Sequence, residues 1–429
     1  MVTPGQILSL SIEKPAAGGR MIARIDGQVA LVSGAIPGEH VRARVERVTR
    51  GVVFMETTAV DRPSPDRRGT PADPLCGGCL LNHIAYPRQL EIKSEIIADA
   101  FARLAHLTLP GPVTVVESPE EGYRMRARLH VSASRAGFYR EGTHELCDPR
   151  ATRQLLPVTC DVLDRLAAAM RSLAVEQVRE LEIAENVEAS ERVVALTAPG
   201  ALDAPALERL AKLARLSATE GISGLVSHAA SYGVPYVVDR LTIAGGGEFA
   251  LRRHVASFFQ GNRHLLSRFV THVSNLVPQD SEVFDLYAGV GLFSVAAASA
   301  RGARVTAIEG DRIAAADLAA NGSASGAAVT VVSQAVEAFV GGDVGTLRSG
   351  SAAPLVAITD PPRTGMSPPA LDGLIRIGAG RIVYVSCDVA TLARDARKIV
   401  DGGYVLTRAD AFDLFPNTPH VETVVVFAR

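Results

Sequence analysis

The stretch that most constrains the fold is Val283-Phe284-Asp285-Leu286-Tyr287-Ala288-Gly289-Val290-Gly291-Leu292-Phe293-Ser294. An apolar run short enough to be a buried strand enters two closely spaced glycines, and a helix is predicted from there to about Ser299. Arg304-Val305-Thr306-Ala307-Ile308 then reads as a second buried strand, closed by Glu309. Glycines at such a turn let the backbone pass close to a ligand at the helix N-terminus. A carboxylate roughly twenty positions further on is placed to accept hydrogen bonds from ribose hydroxyls. Strand, turn, helix and parallel strand make up half of a doubly wound α/β sheet. The remaining strands are at hand: 355–359, 381–386 and 423–427 are short apolar runs, with a helix predicted over 391–400. Residues 251–429 are therefore expected to form a Rossmann-like domain that binds ligands beyond the carboxyl ends of its strands.

The turn alone suits either a nicotinamide dinucleotide or S-adenosylmethionine. Two features favour the second. The dinucleotide fingerprint wants Gly or Ala where Ser294 stands. The strand at 355–359 ends in Asp360-Pro361-Pro362-Arg363, whose prolines fix the backbone and offer no amide hydrogen. Hydride transfer has no evident use for such a rigid, carboxylate-bearing ledge. Gln260, in Phe258-Phe259-Gln260-Gly261-Asn262, carries both a donor and an acceptor for a ligand. In Tyr384-Val385-Ser386-Cys387-Asp388 a thiol stands at the end of a strand. A lone cysteine is usually a small apolar residue, but Glu422 follows in Pro419-His420-Val421-Glu422. A thiol with a separate base suits methylation at C5 of uracil, a carbon too weakly nucleophilic to take a methyl group unaided. Thiolate addition at C6 activates C5, and a base then removes the C5 proton so that the sulfur can leave. On this reading Cys387 is the nucleophile, Glu422 the base, and Asp360 orients the uracil edge or the cofactor.

The rest of the chain has to bring RNA to that place. Its 429 residues are enough for two or three domains, with 47% apolar residues to fill their cores. A net charge of -2 means that any basic surface is local. Five cysteines, an odd number, argue against a disulfide framework and for a reducing compartment. With no leader-like start at Met1-Val2-Thr3-Pro4-Gly5 and no apolar run of membrane length, a cytoplasmic monomer without membrane contact is expected. Residues 1–61 alternate apolar and polar positions around the Asp26-Gly27 turn, which suggests a small barrel with Arg42, Arg44, Arg47 and Arg50 as a basic strip. Residues 62–90 form a proline-rich linker that includes Cys76-Gly77-Gly78-Cys79, two thiols able to share a metal. A helix is predicted over 86–104. Residues 91–250 read as mixed α/β. There Arg124, Arg126 and Arg128 would share one strand face, near Phe138 and Tyr139, for phosphate contact and base stacking.

Taken in order, Phe259-Gln260-Gly261-Asn262, Asp285-Leu286-Tyr287-Ala288-Gly289-Val290-Gly291, Asp360-Pro361-Pro362-Arg363-Thr364-Gly365, Tyr384-Val385-Ser386-Cys387-Asp388 and Phe415-Pro416-Asn417-Thr418-Pro419-His420-Val421-Glu422 resemble the motifs of the RNA uracil-C5 methyltransferase family, in its ribosomal-RNA branch. The N-terminal barrel, through Ile36-Pro37-Gly38-Glu39, is similar to a TRAM domain. The resemblance covers essentially the whole chain. It implies a class I methyltransferase domain behind an OB-like TRAM barrel and a central RNA-binding domain. It implies S-adenosylmethionine as methyl donor and a uridine of RNA as target, in 23S ribosomal RNA ahead of transfer RNA. By matching position it implies Cys387 as nucleophile, Glu422 as base, Gln260, Tyr287, Glu309 and Asp360 as cofactor contacts, and Gln334 facing the adenine. The rival readings are an amino-group methyltransferase on RNA and a non-catalytic RNA-binding protein that keeps the fold. Many members of the family hold a [4Fe–4S] cluster on four cysteines. Cys76, Cys79 and Cys160 match three of them, but Thr70 stands at the first position, and Asp73 and Cys147 lack the right spacing. The motif is incomplete, and a cluster is not expected. Asn82 also stands where relatives carry Gln.

Overall fold

A computed structural model describes residues 2–70, 73–132, 135–342 and 353–429. Six strands, Ile7–Ser11, Lys14–Pro15, Met21–Ile25, Gln28–Ser33, His40–Thr49 and Val52–Arg62, form the N-terminal barrel. Asp26 and Gly27 both take positive φ, 48° and 84°, and close its tight hairpin. Period-two alternation sends Met21, Ala23, Ala30, Val32, Val41, Ala43, Val45, Val53 and Met55 inward. The outward arginines are mostly engaged: Arg42 pairs with Asp61, Arg44 with Glu56, and Arg47 lies 4.0 Å over the Phe54 ring. Acidic residues on the neighbouring strand thus offset much of the expected basic strip.

The helix Tyr86–Ala100 has Pro87 in its first turn, where a missing N–H costs nothing. Its faces serve two cores. Ile92 and Ile96 enter the barrel core with Leu81 and Ile84, while Ile97, Ala100 and the following Phe101 enter the core of the C-terminal domain.

The central sheet runs in the order Leu146–Cys147, Arg135–Tyr139, Arg126–Ser132, Glu180–Glu185, Arg192–Thr197, Gly224–Ser227, Ser231–Gly233. The helices Pro157–Ser172 and Ala204–Thr219 pack on it, the second capped by Asp203, which accepts from Ala206 N at 2.8 Å. Residues 224–243 form three separate strands rather than one. Tyr236–Ile243 leaves the sheet, pairs with Gly247–His254, and buries Leu241, Ile243, Phe249 and Leu251 against the C-terminal domain. The three central arginines do not share an exposed face. Register places Glu182 opposite Arg128, and it pairs with both Arg126 and Arg128. Arg124 precedes the strand and turns inward to Gln154 Oε1 at 2.7 Å.

The C-terminal sheet has the order Val329–Ser333, Arg304–Glu309, Glu282–Leu286, Leu355–Thr359, Arg381–Ser386, Glu422–Ala428, Val405–Phe412, with Val115–Val116 added along the last edge. The first five are parallel, and Glu422–Ala428 runs against both its neighbours. Side chains alternate between two cores. Val283 and Val356 face the helix Leu292–Arg301, while Phe284 and Leu286 face Pro368–Ile377 and Val389–Asp401. The chain winds outward in opposite directions from Glu282–Leu286 and Leu355–Thr359, which opens a crevice at their carboxyl ends.

Candidate active site

Most of the candidate side chains lie at the carboxyl ends of strands. Tyr287 follows Glu282–Leu286, Glu309 ends Arg304–Glu309, Asp360 follows Leu355–Thr359, and Cys387 follows Arg381–Ser386. Parallel register, Leu286 with Ile308 and Thr359, and Thr359 with Tyr384, brings these ends level. Glu422 arrives from the opposite direction. The antiparallel ladder ends with Ser386 paired to Thr423, which leaves Cys387 and Glu422 flanking its last rung, close enough for the Glu422 carboxyl to bear on the thiol. Opposed residues in such a ladder have Cα atoms about 5 Å apart and side chains on one face. Gln334 is exposed just past Val329–Ser333.

The glycine turn is tightly specified. Tyr287 has φ 62°, uncommon for a residue with a Cβ, and Gly289 and Gly291 have φ 56° and 94°. A Cβ at Gly291 would come 2.6 Å from Leu318 Cδ1, so a larger residue would push the neighbouring helix Arg312–Ser325 away. Glu309 accepts from Gly289 N at 2.8 Å and from Asp311 N at 2.7 Å, one bond per carboxylate oxygen. It stiffens the turn while each oxygen keeps further acceptor capacity.

Beneath the turn, Asp285 is fully buried. One oxygen accepts from Ser294 Oγ at 2.5 Å, and the other has no partner among the described residues. Burial pushes its pKa up to about 7. Ser294, in the sequence a departure from the dinucleotide pattern, is thus the partner of a buried acid. Asp360 accepts from Gln260 Nε2 at 3.1 Å, and desolvation, with the charge of Asp285 adding, lifts it to about 7 as well. Gln260 is positioned through Asn262, whose amide donates to Ser118 Oγ and Leu414 O and accepts from His264 N and Leu265 N.

The loop after Asp360 is fixed from below. Buried Asp395 accepts from Met366 N at 2.9 Å and from Tyr384 Oη at 2.6 Å, and Thr391 Oγ1 donates to Arg363 O at 3.1 Å. Arg363 is exposed, and its charge bears on Cys387, Glu422 and His420. Burial pushes the Cys387 thiol up to about 12, Glu422 and Asp360 push the same way, and Arg363 opposes them. Burial, then Asp360, holds Glu422 well above the usual carboxylate range, again opposed by Arg363. Glu422 Oε1 has no partner among the described residues. His420 is driven down to about 4, by burial first and then by Arg363, Lys93 and Arg124. Asp285 and the charge of Arg363 had no role in the sequence reading, although an Asp inside an apolar strand was a visible signal. Arg124 was misplaced because alternation was extended two residues too far.

The cysteines are arranged differently. Antiparallel pairing of Cys147 with Phe138, and a bridge between Cys76 and Arg140, bring Cys76 and Cys147 together. Their sulfurs lie against each other, with Cα atoms 6.0 Å apart. Cys79 and Cys160 are buried thiols whose pKa values desolvation raises to about 12 and about 11. Thr70 and Asn82, the two departures from the family pattern, meet: Asn82 Nδ2 donates to Thr70 Oγ1 at 2.7 Å. Among the described residues no group of three or more His, Cys, Asp or Glu is placed to hold a metal. Cys76, Cys79, Cys147 and Cys160 all border one apolar core.

Fold and site together define a class I methyltransferase domain carrying a thiol beside its donor crevice. Residues 346–429 match the family model described as tRNA (Uracil-5-)-methyltransferase, and residues 2–56 match the TRAM domain. The chain is 32% identical to the 23S rRNA (uracil(1939)-C(5))-methyltransferase RlmD of Halomonas elongata, over 97% of this chain and 88% of that one. It is 31% identical to the protein of the same description from Pseudomonas putida, over 99% and 94%. Its fold is similar to that of the Pyrococcus abyssi tRNA (uracil-54, C5)-methyltransferase solved with S-adenosyl-L-homocysteine, with a TM-score of 0.74, 24% identity, and coverage of 98% of this chain and 99% of that one. The chain belongs to the RNA uracil-C5 methyltransferase family, in its TRAM-containing 23S ribosomal RNA branch. It is an S-adenosylmethionine-dependent enzyme that methylates uracil at C5 in RNA.

Proposed function

We propose that the target is a uridine of 23S ribosomal RNA, turned out of the folded RNA into the crevice, and that methylation runs through a covalent Cys387–C6 adduct. The observation that supports this reading is that Cys387 and Glu422 flank the last rung of the ladder, within electrostatic reach of each other and of Asp360, which Gln260 holds. S-adenosylmethionine supplies an electrophilic methyl group on a sulfonium. Gln260, Tyr287, Glu309 and Asp360 would contact it, with Gln334 near the adenine.

Cys387 gives up its proton to solvent, favoured by Arg363, and its Sγ bonds to C6, making C5 nucleophilic. Once C5 has taken the methyl group, Glu422 removes the C5 proton, the Sγ–C6 bond breaks, and the thiolate is restored. Glu422 returns that proton to solvent as the product leaves. The buried, apolar surroundings of Glu422 suit this late step, because a carboxylate held there is a stronger base than one in water. The names of the bacterial relatives support ribosomal RNA and a cytoplasmic setting, and we take the chain to act as a monomer. Among the described residues no helix is long and apolar enough to cross a membrane.

Two measurements test the reading. Cys387→Ala should abolish methyl transfer and also the denaturant-stable adduct with 5-fluorouridine RNA; surviving methylation would remove the covalent mechanism in favour of direct transfer. Mapping 5-methyluridine in cells lacking the protein should show a loss confined to 23S ribosomal RNA, whereas a loss from transfer RNA would move the substrate there.

A further inference from the structure

We propose that Gln89 and Asn417 form a latch that positions Glu422, so that the segment before the central domain supplies positioning residues for the proton-removal step. The proposal rests on Glu422 being the base.

Glu422 follows a loop that starts at Asp413 and folds back through Asn417. That loop makes few regular pairings of its own, and it is held largely from outside the C-terminal domain. Asn417 sits in the left-handed region, φ 64°, which Asn tolerates better than most residues. Its backbone N donates to Gln89 Oε1 at 3.0 Å, and its side-chain oxygen accepts from Gln89 Nε2 at 3.0 Å, so the two residues clasp each other. Arg68 Nη2 donates to the same side-chain oxygen at 2.9 Å, and Leu81 N donates to Asn417 O at 2.9 Å. Gln89 is fully buried, and its amide is further aligned by a bond to Ile84 O. Lys93, one turn along the same helix, donates to Asp413 Oδ1 at 2.5 Å and to Phe415 O at 3.1 Å. Both members of that ion pair are fully buried. On the other side, the barrel turn at Gly19 (φ 85°) lies against Pro419, whose Cγ would be 3.1 Å from a Cβ at that position.

Residues between Gly19 and Lys93 thus meet the loop at Asp413, Phe415, Asn417 and Pro419, while Val116, Asn262 and Tyr123 hold Asp413 N, Leu414 O and Pro416 O. Glu422 itself has an oxygen without a partner. Pairing with Phe412 holds its backbone, the loop that leads into it packs around its side chain, and the last step of the reaction needs that side chain aimed at C5. Loosening the loop should slow proton removal more than the earlier addition and methyl transfer, because Cys387 is held by the opposite strand.

The experiment uses full-length protein, ribosomal RNA carrying ordinary uridine, and S-adenosylmethionine with a labelled methyl group. Gln89→Leu should lower turnover on the order of tenfold to a hundredfold. It should accumulate a denaturant-stable protein–RNA adduct bearing the label, and single-turnover methyl transfer should change by less than about threefold. Asn417→Gly keeps the left-handed backbone without the side chain. It carries the same expectation should Gln89→Leu fail to fold. Glu422→Gln is the reference. If it accumulates labelled adduct and the latch variants do not, with methyl transfer and turnover falling together, the latch is wrong and the base stands. If Glu422→Gln accumulates none, the base assignment fails first. Unchanged turnover in both latch variants would also overturn the proposal.

Discussion

The strand ends of the C-terminal sheet and the cysteine segment both gather reactive groups from distant parts of the chain, but they do it by different means. At the strand ends, ladder register does the work: once Ser386 pairs with Thr423, Cys387 and Glu422 are left on either side of the last rung. Around Cys76, the sulfurs come from a turn, an edge strand and a helix, and pairing along Arg135–Tyr139 and Arg140 aligns Cys76 and Cys147 but not Cys79 or Cys160. A site set by register keeps its backbone spacing as long as the core sheet is intact. A site gathered from loops can lose one ligand, as at Thr70, and settle into another bonding pattern around the same apolar core. The difference is between chemistry built into a fold and chemistry laid over one.

The comparison can be broken at several points. The largest stability effect is expected at Lys93→Met, which leaves Asp413 buried without its cation. Removing one partner of a buried pair costs about 3–5 kcal/mol, and the urea midpoint of the full chain would show it. A loss under about 1 kcal/mol would mean that the loop is held without this pair.

Arg363→Met tests the charge balance at the strand ends. Arg363 lowers the thiol pKa against burial, so its removal should raise that pKa further and slow iodoacetamide labelling of Cys387. In the parent protein the labelling rate should still be rising above pH 10, since the thiol lies at about 12. A plateau near pH 8 would show that the pocket holds a thiolate at rest.

The buried acids give a stability trend with pH. In the folded chain Asp285 and Asp360 keep their protons up to about pH 7, whereas their ordinary value is 3.8. Between those values the folded state binds more protons than the unfolded one, so stability should fall as pH rises through that window. Asp285→Asn should flatten the trend, as judged from urea unfolding at pH 5 and pH 8 in the absence of cofactor. A parent protein equally stable at both would contradict the burial of these groups.

The smallest effects belong to the cysteine segment. Cys160→Ala should leave turnover within about twofold, at a stability cost of about 1 kcal/mol for a small buried side chain. Three of the five cysteines should react with a thiol reagent in denaturant without reductant. Five reactive thiols, or a visible iron–sulfur absorption in anaerobically purified protein, would restore the cluster and erase the contrast.

Much of the site could be read from the sequence because its members stand at strand ends, where a short apolar run gives way to a polar residue. Cys387, Asp360, Glu309 and Tyr287 share that local signature, and the family motifs add Glu422. Periodicity could not reveal what neighbouring elements do to a side chain. The alternation that grouped Arg124 with Arg126 and Arg128 says nothing of Glu182 on the next strand, nor of the inward turn of Arg124. The barrel arginines were equally visible, and their acidic partners equally hidden. Gln89 and Lys93 look like ordinary polar positions of an amphipathic helix. Their burial follows only from a loop more than three hundred residues away, which no local pattern encodes.

The helix Tyr86–Ala100 contributes to two hydrophobic interiors at once, and Val115–Val116 seals the free edge beside Val405–Phe412. A fragment beginning at residue 251 would therefore expose a bare β-edge and an apolar trough, both invitations to self-association. Excision would have to keep residues 86–116 to yield a well-behaved catalytic piece. During synthesis, too, that helix emerges long before its second packing surface exists: Ile92 and Ile96 can close the barrel interior at once, while Ile97, Ala100 and Phe101 wait for the C-terminal sheet.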